Sequence, residues 1–370
     1  MFNLKKQINT LYITSILGNL SITGAWVALL AARGFSLVEI GFAETCFHIT
    51  SLIFEIPSGL MADIYGRRKM LLISNLMTFI GNIVMAISNN LGLVCLSISF
   101  HALGYNFASG SGEALAYDSM KLSKAESGYE KYVSNQSVIY RIASGISTLV
   151  AGVALLIGYR PAYLISAVSS AITFAVTLRL IEVMPDSEGF RDSFEGSRLK
   201  ALLKQVAAYF KDSLRFLADN KKATKLMFAN SFVGAIDVLL VFFLQSTLMN
   251  AGISDWALGI ALFVMQLGGV TGARLVLKAK NVRYAKVFII CTIGVISGVL
   301  LEHTGIAAIM VLGGFISALA DDALQIRSDA LLQGMFPSDQ RATLISISSF
   351  TFSVIMIVLS PLAGYFFSVW

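Results

Sequence analysis

The chain has 370 residues, 56% of them hydrophobic and only 14% charged, with 30 glycines outside the hydrophobic count and a net charge of +6. Soluble domains carry about 25% charged residues, and one of this length cannot bury so much apolar surface beneath a polar exterior. Disorder is excluded by the same excess, and a disulfide scaffold by a cysteine count of three. A polytopic membrane protein remains.

Apolar blocks of about 20 residues, enough to cross a hydrocarbon core at about 1.5 Å per residue, lie near 9–31, 37–60, 69–88, 91–119, 134–158, 161–181, 223–248, 255–277, 284–301, 304–328 and 341–366. They predict an all-α fold of eleven spans, six and then five. Glycine, serine and threonine recur within them, as close helix packing in lipid requires. No run of alternating strands points to an outer-membrane barrel. The first block follows Lys5 and Lys6 but is too long for a signal-peptide core, and no small-residue cleavage site follows it. It is read as a retained helix.

Basic residues set the orientation. With a cytoplasmic amino terminus, the outer loops hold only Arg33 and Arg160. The inner side collects Lys5, Lys6, Arg67, Arg68, Lys69, Lys121, Lys124 and Lys131, then Arg274, Lys278, Lys280, Arg283, Lys286 and Arg341. These cations face an anionic leaflet, so the basic balance is no nucleic-acid signal.

Between the bundles at 1–183 and 223–370 lies one long polar stretch, 184–222. From Arg198 its apolar residues Leu199, Leu202, Leu203, Val206, Phe210, Leu214 and Leu217 recur every three or four positions, with Lys200, Lys204, Lys211 and Arg215 between them. That pattern predicts an amphipathic helix on the bilayer surface. The halves share a short echo: Glu113-Ala114-Leu115 before Asp118 in span four, and Asp321-Asp322-Ala323-Leu324 before Arg327 in span ten. A duplicated unit leaves such a trace.

The strongest local signal is Gly59-Leu60-Met61-Ala62-Asp63-Ile64-Tyr65-Gly66-Arg67-Arg68-Lys69, between spans two and three. By its chemistry, Gly59 lets a neighbouring helix approach, Asp63 can face the positive end of a helix, and Arg67 can pair with Asp63 and with Asp118. The alternative is that Arg67, Arg68 and Lys69 only set topology. The run resembles the Gly-x-x-x-Asp-x-x-Gly-Arg-Arg/Lys loop of the major facilitator superfamily, and with Glu55-Ile56-Pro57-Ser58 it is similar to the bacterial drug:proton antiporter branch. The resemblance implies twelve spans in two bundles. It also implies a conformational latch at Gly59, Asp63, Gly66, Arg67, Arg68 and Asp118, and a central cavity lined by spans one, four, seven and ten. Departures are visible: Gly272–Lys278 has no acid matching Asp63, Phe100 stands where family members often carry arginine before Gly104, and span five lacks the antiporter proline. The chain also stops one span short of twelve.

Charged residues inside spans are costly and mark functional sites by default. Glu113 and Arg141 lie at similar depth in adjacent spans. They either pair structurally or take part in proton coupling, and Glu55 lies at similar depth. Asp237 stands near the middle of span seven with no basic residue at its level. It is either a neutral hydrogen-bonded packing residue or a group that loads protons and attracts cations. Asp321 and Asp322 point about 100° apart, so one of them faces the cavity. Further cavity candidates are Asn19, Trp26, Tyr105, Asn106, Tyr117, Gln245 and Gln325.

His48, His101 and His303 and the three cysteines lack metal-ligand or nucleophile spacing, and no phosphate-binding glycine loop with lysine occurs. No enzyme and no cofactor is expected. The reading is a monomeric secondary transporter in the plasma membrane, with partners limited to protons, lipid and a small-molecule substrate. Proton-coupled efflux of amphipathic compounds leads. A nutrient or metabolite importer is the alternative, and a non-transporting receptor the alternative of another class.

Overall fold

The computed structural model of the chain describes residues 2–183, scattered positions of 204–219, then 220–335 except Lys280, and 341–369. Among these residues all regular structure is helical: α1 (Leu4–Asn19), α2 (Trp26–Ala31), α3 (Leu37–Tyr65), α4 (Arg67–Ile87), α5 (Leu91–Ala108), α6 (Ser111–Leu122), α7 (Tyr129–Leu149), α8 (Ala151–Ile157), α9 (Tyr159–Thr177), α10 (Lys221–Asn250), α11 (Asp255–Val276), α12 (Tyr284–Glu302), α13 (Ala307–Met335) and α14 (Arg341–Val369). The expected surface helix from Arg198 falls largely outside the described residues, as do all its apolar positions. Lys204, Lys211 and Arg215 are described, helical and exposed.

Nine stretches among the described residues are long and apolar enough to span a membrane: Leu37–Gly59, Arg67–Ile87, Leu91–Leu122, Glu126–Ile157, Lys221–Asn250, Asp255–Ala279, Tyr284–Glu302, Ala307–Leu332 and Ile347–Val369. They coincide with nine of the expected blocks, and α9 occupies a tenth. The remaining block, 9–31, is not one helix. It breaks between Asn19 and Trp26, where Gly18, Asn19, Ser21, Thr23 and Gly24 offer little helix propensity. The break is satisfied by side chains: Ser147 Oγ accepts from Ser21 N at 2.9 Å and donates to the Asn19 carbonyl at 3.1 Å. In hydrocarbon these side chains supply the partners that water cannot.

Local chemistry accounts for the helix starts. Ser36 and Glu39 form a reciprocal capping box at α3, with Glu39 Oε2 accepting from Ser36 N at 2.9 Å and Ser36 Oγ from Glu39 N at 3.3 Å. Asn90 Oδ1 accepts from Leu93 N at 3.0 Å to start α5. Between α3 and α4 a single residue, Gly66, turns the chain at φ 103°, a conformation that L side chains avoid. Span four is interrupted too, at Gly110 with φ 69°.

The described residues form two compact units that cut across the sequence halves. One comprises 1–23, 49–147 and 159–211; the other comprises 24–48, 148–158 and 212–370. The core of the first joins Leu11, Leu115, Met120, Tyr132 and Leu180. In the second, Leu240, Leu244 and Leu248 of α10 pack with Leu258, Leu262 and Met265 of α11, Ala25 at the start of α2 and Ala28 within it, and Ala151 of α8. Ile87 and Leu156 are each 63% exposed. Lipid, not water, is the medium such side chains tolerate.

Gly66→Ala should cost on the order of 1–2 kcal/mol, the penalty of a side chain in a left-handed backbone. Thermal unfolding of purified protein in detergent, wild type against variant, measures it; an unchanged midpoint contradicts the assignment.

Candidate functional site

The loop after α3 places its arginines in two different environments. Arg67 forms an ion pair with Asp118 of α6, with side-chain exposures of 19% and 10%, and its Nη1 also donates to the Ala114 carbonyl at 3.1 Å. Arg68 Nη2 donates to the Leu178 carbonyl at 2.8 Å. The expected partnership of Arg67 with Asp118 is therefore present in the geometry, while the side chain of Asp63 lies outside the described residues. Gly59 does not act as expected. A methyl group there meets nothing within 4 Å, because Gly59 faces outward, and close approach occurs elsewhere, as at Gly104 against Ser74 and Thr78.

One acid that sequence reasoning missed completes this group. Glu182, just beyond α9, accepts from Arg67 N at 3.0 Å and from Arg68 N at 3.0 and 3.3 Å. Its carboxylate caps the amino terminus of α4, where unpaired N–H groups and the helix dipole favour an anion. An acid beside the last span-six residues, on the same expected face as the arginine loop, was the available signal.

The second group lies in α10 and α13. Asp237 is 8% exposed and accepts from Ser317 Oγ at 2.5 Å. Asp321, 9% exposed, accepts from Gln325 Nε2 at 3.2 Å, and Gln325 Oε1 accepts from Asn230 Nδ2 at 2.6 Å. Asp237, Asp321 and Asp322 lie within electrostatic reach of one another. Asp237 and Asp321 are bonded by a neutral hydroxyl and a neutral amide, which orient the acids without neutralising them. Asp321 faces α10 across Gly234, and Asp322 lies against Gly269 of α11. The two neighbours thus point to different helices, as the 100° step dictates.

Glu113 and Arg141 are not brought together; both are exposed and do not bond each other. The turn at Gly110 divides span four into α5 and α6, and Glu113 lies in the first turn of α6. Glu113 lies instead within reach of Tyr129 and Tyr132, beside an aromatic column in which Tyr132 stacks on Tyr12 at 5.2 Å and Tyr117 meets Tyr129 edge-on at 5.1 Å. Glu55 is half-buried, with Tyr105 in its electrostatic neighbourhood.

Three cavity candidates turn out to hold backbone or helix contacts. Gln245 Oε1 accepts from Val27 N at 3.2 Å, which satisfies the start of α2 after the break in span one. Asn106 exchanges two bonds with Ser51, at 2.9 and 3.0 Å. Asn19 Nδ2 donates to the Ser15 carbonyl at 2.7 Å. Trp26 meets Phe242 edge-on at 5.6 Å, and Tyr105 and Tyr117 are 63% and 42% exposed.

The sequence profile described as Major Facilitator Superfamily matches residues 8–300. The chain belongs to the major facilitator superfamily. A Bacillus subtilis (strain 168) protein, the uncharacterized MFS-type transporter YxaM, is 22% identical over 264 residues, covering 70% of this chain and 61% of that one. The MFS transporter L2 of Phoma sp. is 32% identical over 84 residues, covering 23% of this chain and 14% of the relative. Among solved structures, the nucleoside transporter NupG (D323A mutant) superimposes with a TM-score of 0.74 at 16% identity, covering 98% of this chain and 91% of the other. A bacterial homologue of the human lysosomal transporter Spinster gives 0.70 at 15% identity, covering 97% and 81%. A D-xylose-proton symporter gives 0.66 at 13%, covering 97% and 88%. Identities this low establish a shared fold alone. As a superfamily member with nine apolar spans among its described residues, the chain is a multi-pass membrane protein.

If Arg67 and Asp118 stabilise each other in this superfamily fold, Arg67→Ala and Asp118→Ala should each destabilise the protein, and the double variant by less than their sum. The expected coupling is about 0.5–3 kcal/mol, read from thermal unfolding of the four proteins. Additive losses refute the pair. Glu182→Gln should lower stability by roughly 0.5–2 kcal/mol, the range for a lost helix cap.

Proposed function

We propose that this protein is a secondary active transporter that moves small molecules across the plasma membrane by alternating access, with protons as the coupling ion. The observation that carries the reading is the group formed by Asp237, Ser317, Asp321, Gln325 and Asn230 in the middle of two apolar helices. Buried acids oriented by neutral donors are costly while they carry net charge. Taking up a proton removes that cost, and water must reach the group before the proton leaves. Such a group couples proton binding to whichever side of the membrane admits water.

The Arg67–Asp118 pair supports a second element of the same reading. It is well shielded, ties the α3–α4 loop to α6, and takes its orientation from the Glu182 cap. In the proposal it is a latch that holds one conformation and breaks in the other. The amino terminus is placed in the cytoplasm because the basic loops then face the anionic leaflet.

For cargo, we favour amphipathic and often cationic compounds leaving the cell. Among the described residues of the first unit, Glu113, the half-buried Glu55 and the exposed Tyr105 and Tyr117 offer charge and aromatic faces that suit an apolar cation. Arg141 is the exposed cation in the apolar part of α7, beyond Lys131 at its start, too little for a multiply anionic substrate.

Everted vesicles that carry the protein should accumulate a fluorescent organic cation such as ethidium when a proton gradient is imposed, and a protonophore should abolish this. Asp237→Asn should remove the dependence on the gradient while the protein still inserts. Unchanged gradient dependence in both Asp237→Asn and Asp321→Asn excludes the acids from coupling. Loss of growth on a nutrient, with no gain in drug sensitivity in a deletion strain, favours import instead.

A further inference from the structure

A cavity of about 360 Å³ lies within the second unit, where α2 and α10 end and α3 begins. Its apolar walls are Phe35, Leu37 and Met249, with Phe367 from the last turn of α14. Its polar walls are Ser36, Ser246, Thr247, Asn250 and Ser368. Among the described residues, no acidic or basic side chain lines it. The volume lies at the small end of the range for organic ligands.

Three hydroxyl groups of this wall direct their protons away from the cavity. Ser36 Oγ donates to Glu39 Oε2 at 2.8 Å, and Ser368 Oγ to the Tyr365 carbonyl at 2.7 Å. Thr247 Oγ1 donates to the Phe243 carbonyl at 3.3 Å or to the Glu302 carboxyl beside it. A hydroxyl has one proton and two lone pairs. Each of the three therefore offers the cavity an acceptor and no donor; Ser36, which also accepts from Glu39 N, keeps one lone pair for it. The field has the same sign. α10 ends at Asn250, and the carboxyl end of a helix carries partial negative charge. Behind Thr247 stands Glu302, 5% exposed, with His303 Nδ1 3.0 Å from its Oε2. Arg33 is outside the lining, its guanidinium held over the ring of Phe35 at 5.0 Å.

We propose that this cavity binds a small primary amine in its ammonium form, with an aryl or short alkyl body. A primary ammonium carries three N–H donors on one atom, which matches a wall of acceptors. Its charge is favoured by the end of α10 and by Glu302 behind Thr247. Its apolar body lies on Phe35, Met249 and Phe367, two rings and a thioether that take up irregular hydrocarbon. A carboxylate would set lone pairs against lone pairs. A quaternary ammonium has the charge but no N–H, and leaves the three hydroxyl oxygens unbonded. The cavity is about 20 Å along α10 from Asp237 by helical rise, at the end that the expected orientation places outside the cell. It is a site separate from the acids of α10 and α13, and binding there requires no ion gradient.

The probe is para-fluorophenethylamine, an ammonium ion at neutral pH as lysine is, followed by fluorine NMR with the full chain in nanodiscs. The wild type should broaden its resonance, and unlabelled phenethylamine should reverse the broadening. The trimethylated ammonium and the carboxylate of matching length, para-fluorophenylpropionate, should each bind at least about tenfold more weakly. Thr247→Val keeps the side-chain shape and removes one acceptor, and should weaken the amine about tenfold. Ala31→Phe fills the cavity from the end of α2 and should abolish binding. Photolysis of para-azidophenethylamine on the wild type, read by peptide mass spectrometry, locates the ligand without any substitution; label should fall on Met249, Phe367 or their immediate neighbours. A wild type that leaves the probe sharp overturns the proposal, as does equal binding of the carboxylate or of the trimethylated ion. Full affinity in both Thr247→Val and Ala31→Phe overturns it too. Label recovered only from peptides that do not line the cavity places the amine elsewhere and has the same force.

Discussion

A polar group inside hydrocarbon has no water to fall back on, so wherever this chain interrupts a helix or buries a charge it must supply the partner from its own side chains. The break in span one is the plainest case. Ser147 holds the Asn19 carbonyl and the Ser21 amide on one side, and Gln245 holds the Val27 amide on the other. The start of α4 is treated in the same way by Glu182. These contacts are long-range in sequence, so each interruption also ties together elements far apart in the chain.

The same constraint makes buried acids informative. Asp237 and Asp321 are held by a hydroxyl and an amide, while Asp118 is held by a guanidinium. A neutral donor fixes where a carboxylate points and leaves its charge to be dealt with by protons or cargo. A cationic partner cancels the charge outright, and such a pair serves as a fastening that one partner's loss undoes.

Helix packing follows a related logic. Lipid gives no hydrophobic reward for bringing two apolar helices together, so association relies on close van der Waals contact and interhelical hydrogen bonds. Gly41 and Gly364 against backbone carbonyls, with Thr45 bonding Ile357, supply both along one face. Large aliphatics such as Leu156 and Ile290 remain outward on the same scaffold.

Composition and apolar block length determined the all-helical membrane class, because they reflect how much surface must meet lipid and how far a helix must reach. The Gly59–Lys69 run carried the family, and Arg67 with Asp118 was legible because charge signs and loop positions fall on one side of the bilayer. The sequence also isolated Asp237 as a charge without a local partner. What it did not determine was which side chains face one another. Glu113 and Arg141 match in depth but are exposed and do not bond each other, because depth along a helix does not say which way a side chain points. Gln245 and Asn106, expected as cavity polar groups, satisfy a helix break and a helix contact, roles that depend on partners far away in the chain. Glu182 depends on partners 114 and 115 residues away. Helix rotation and crossing are set by packing between elements, and only the tertiary structure decided those.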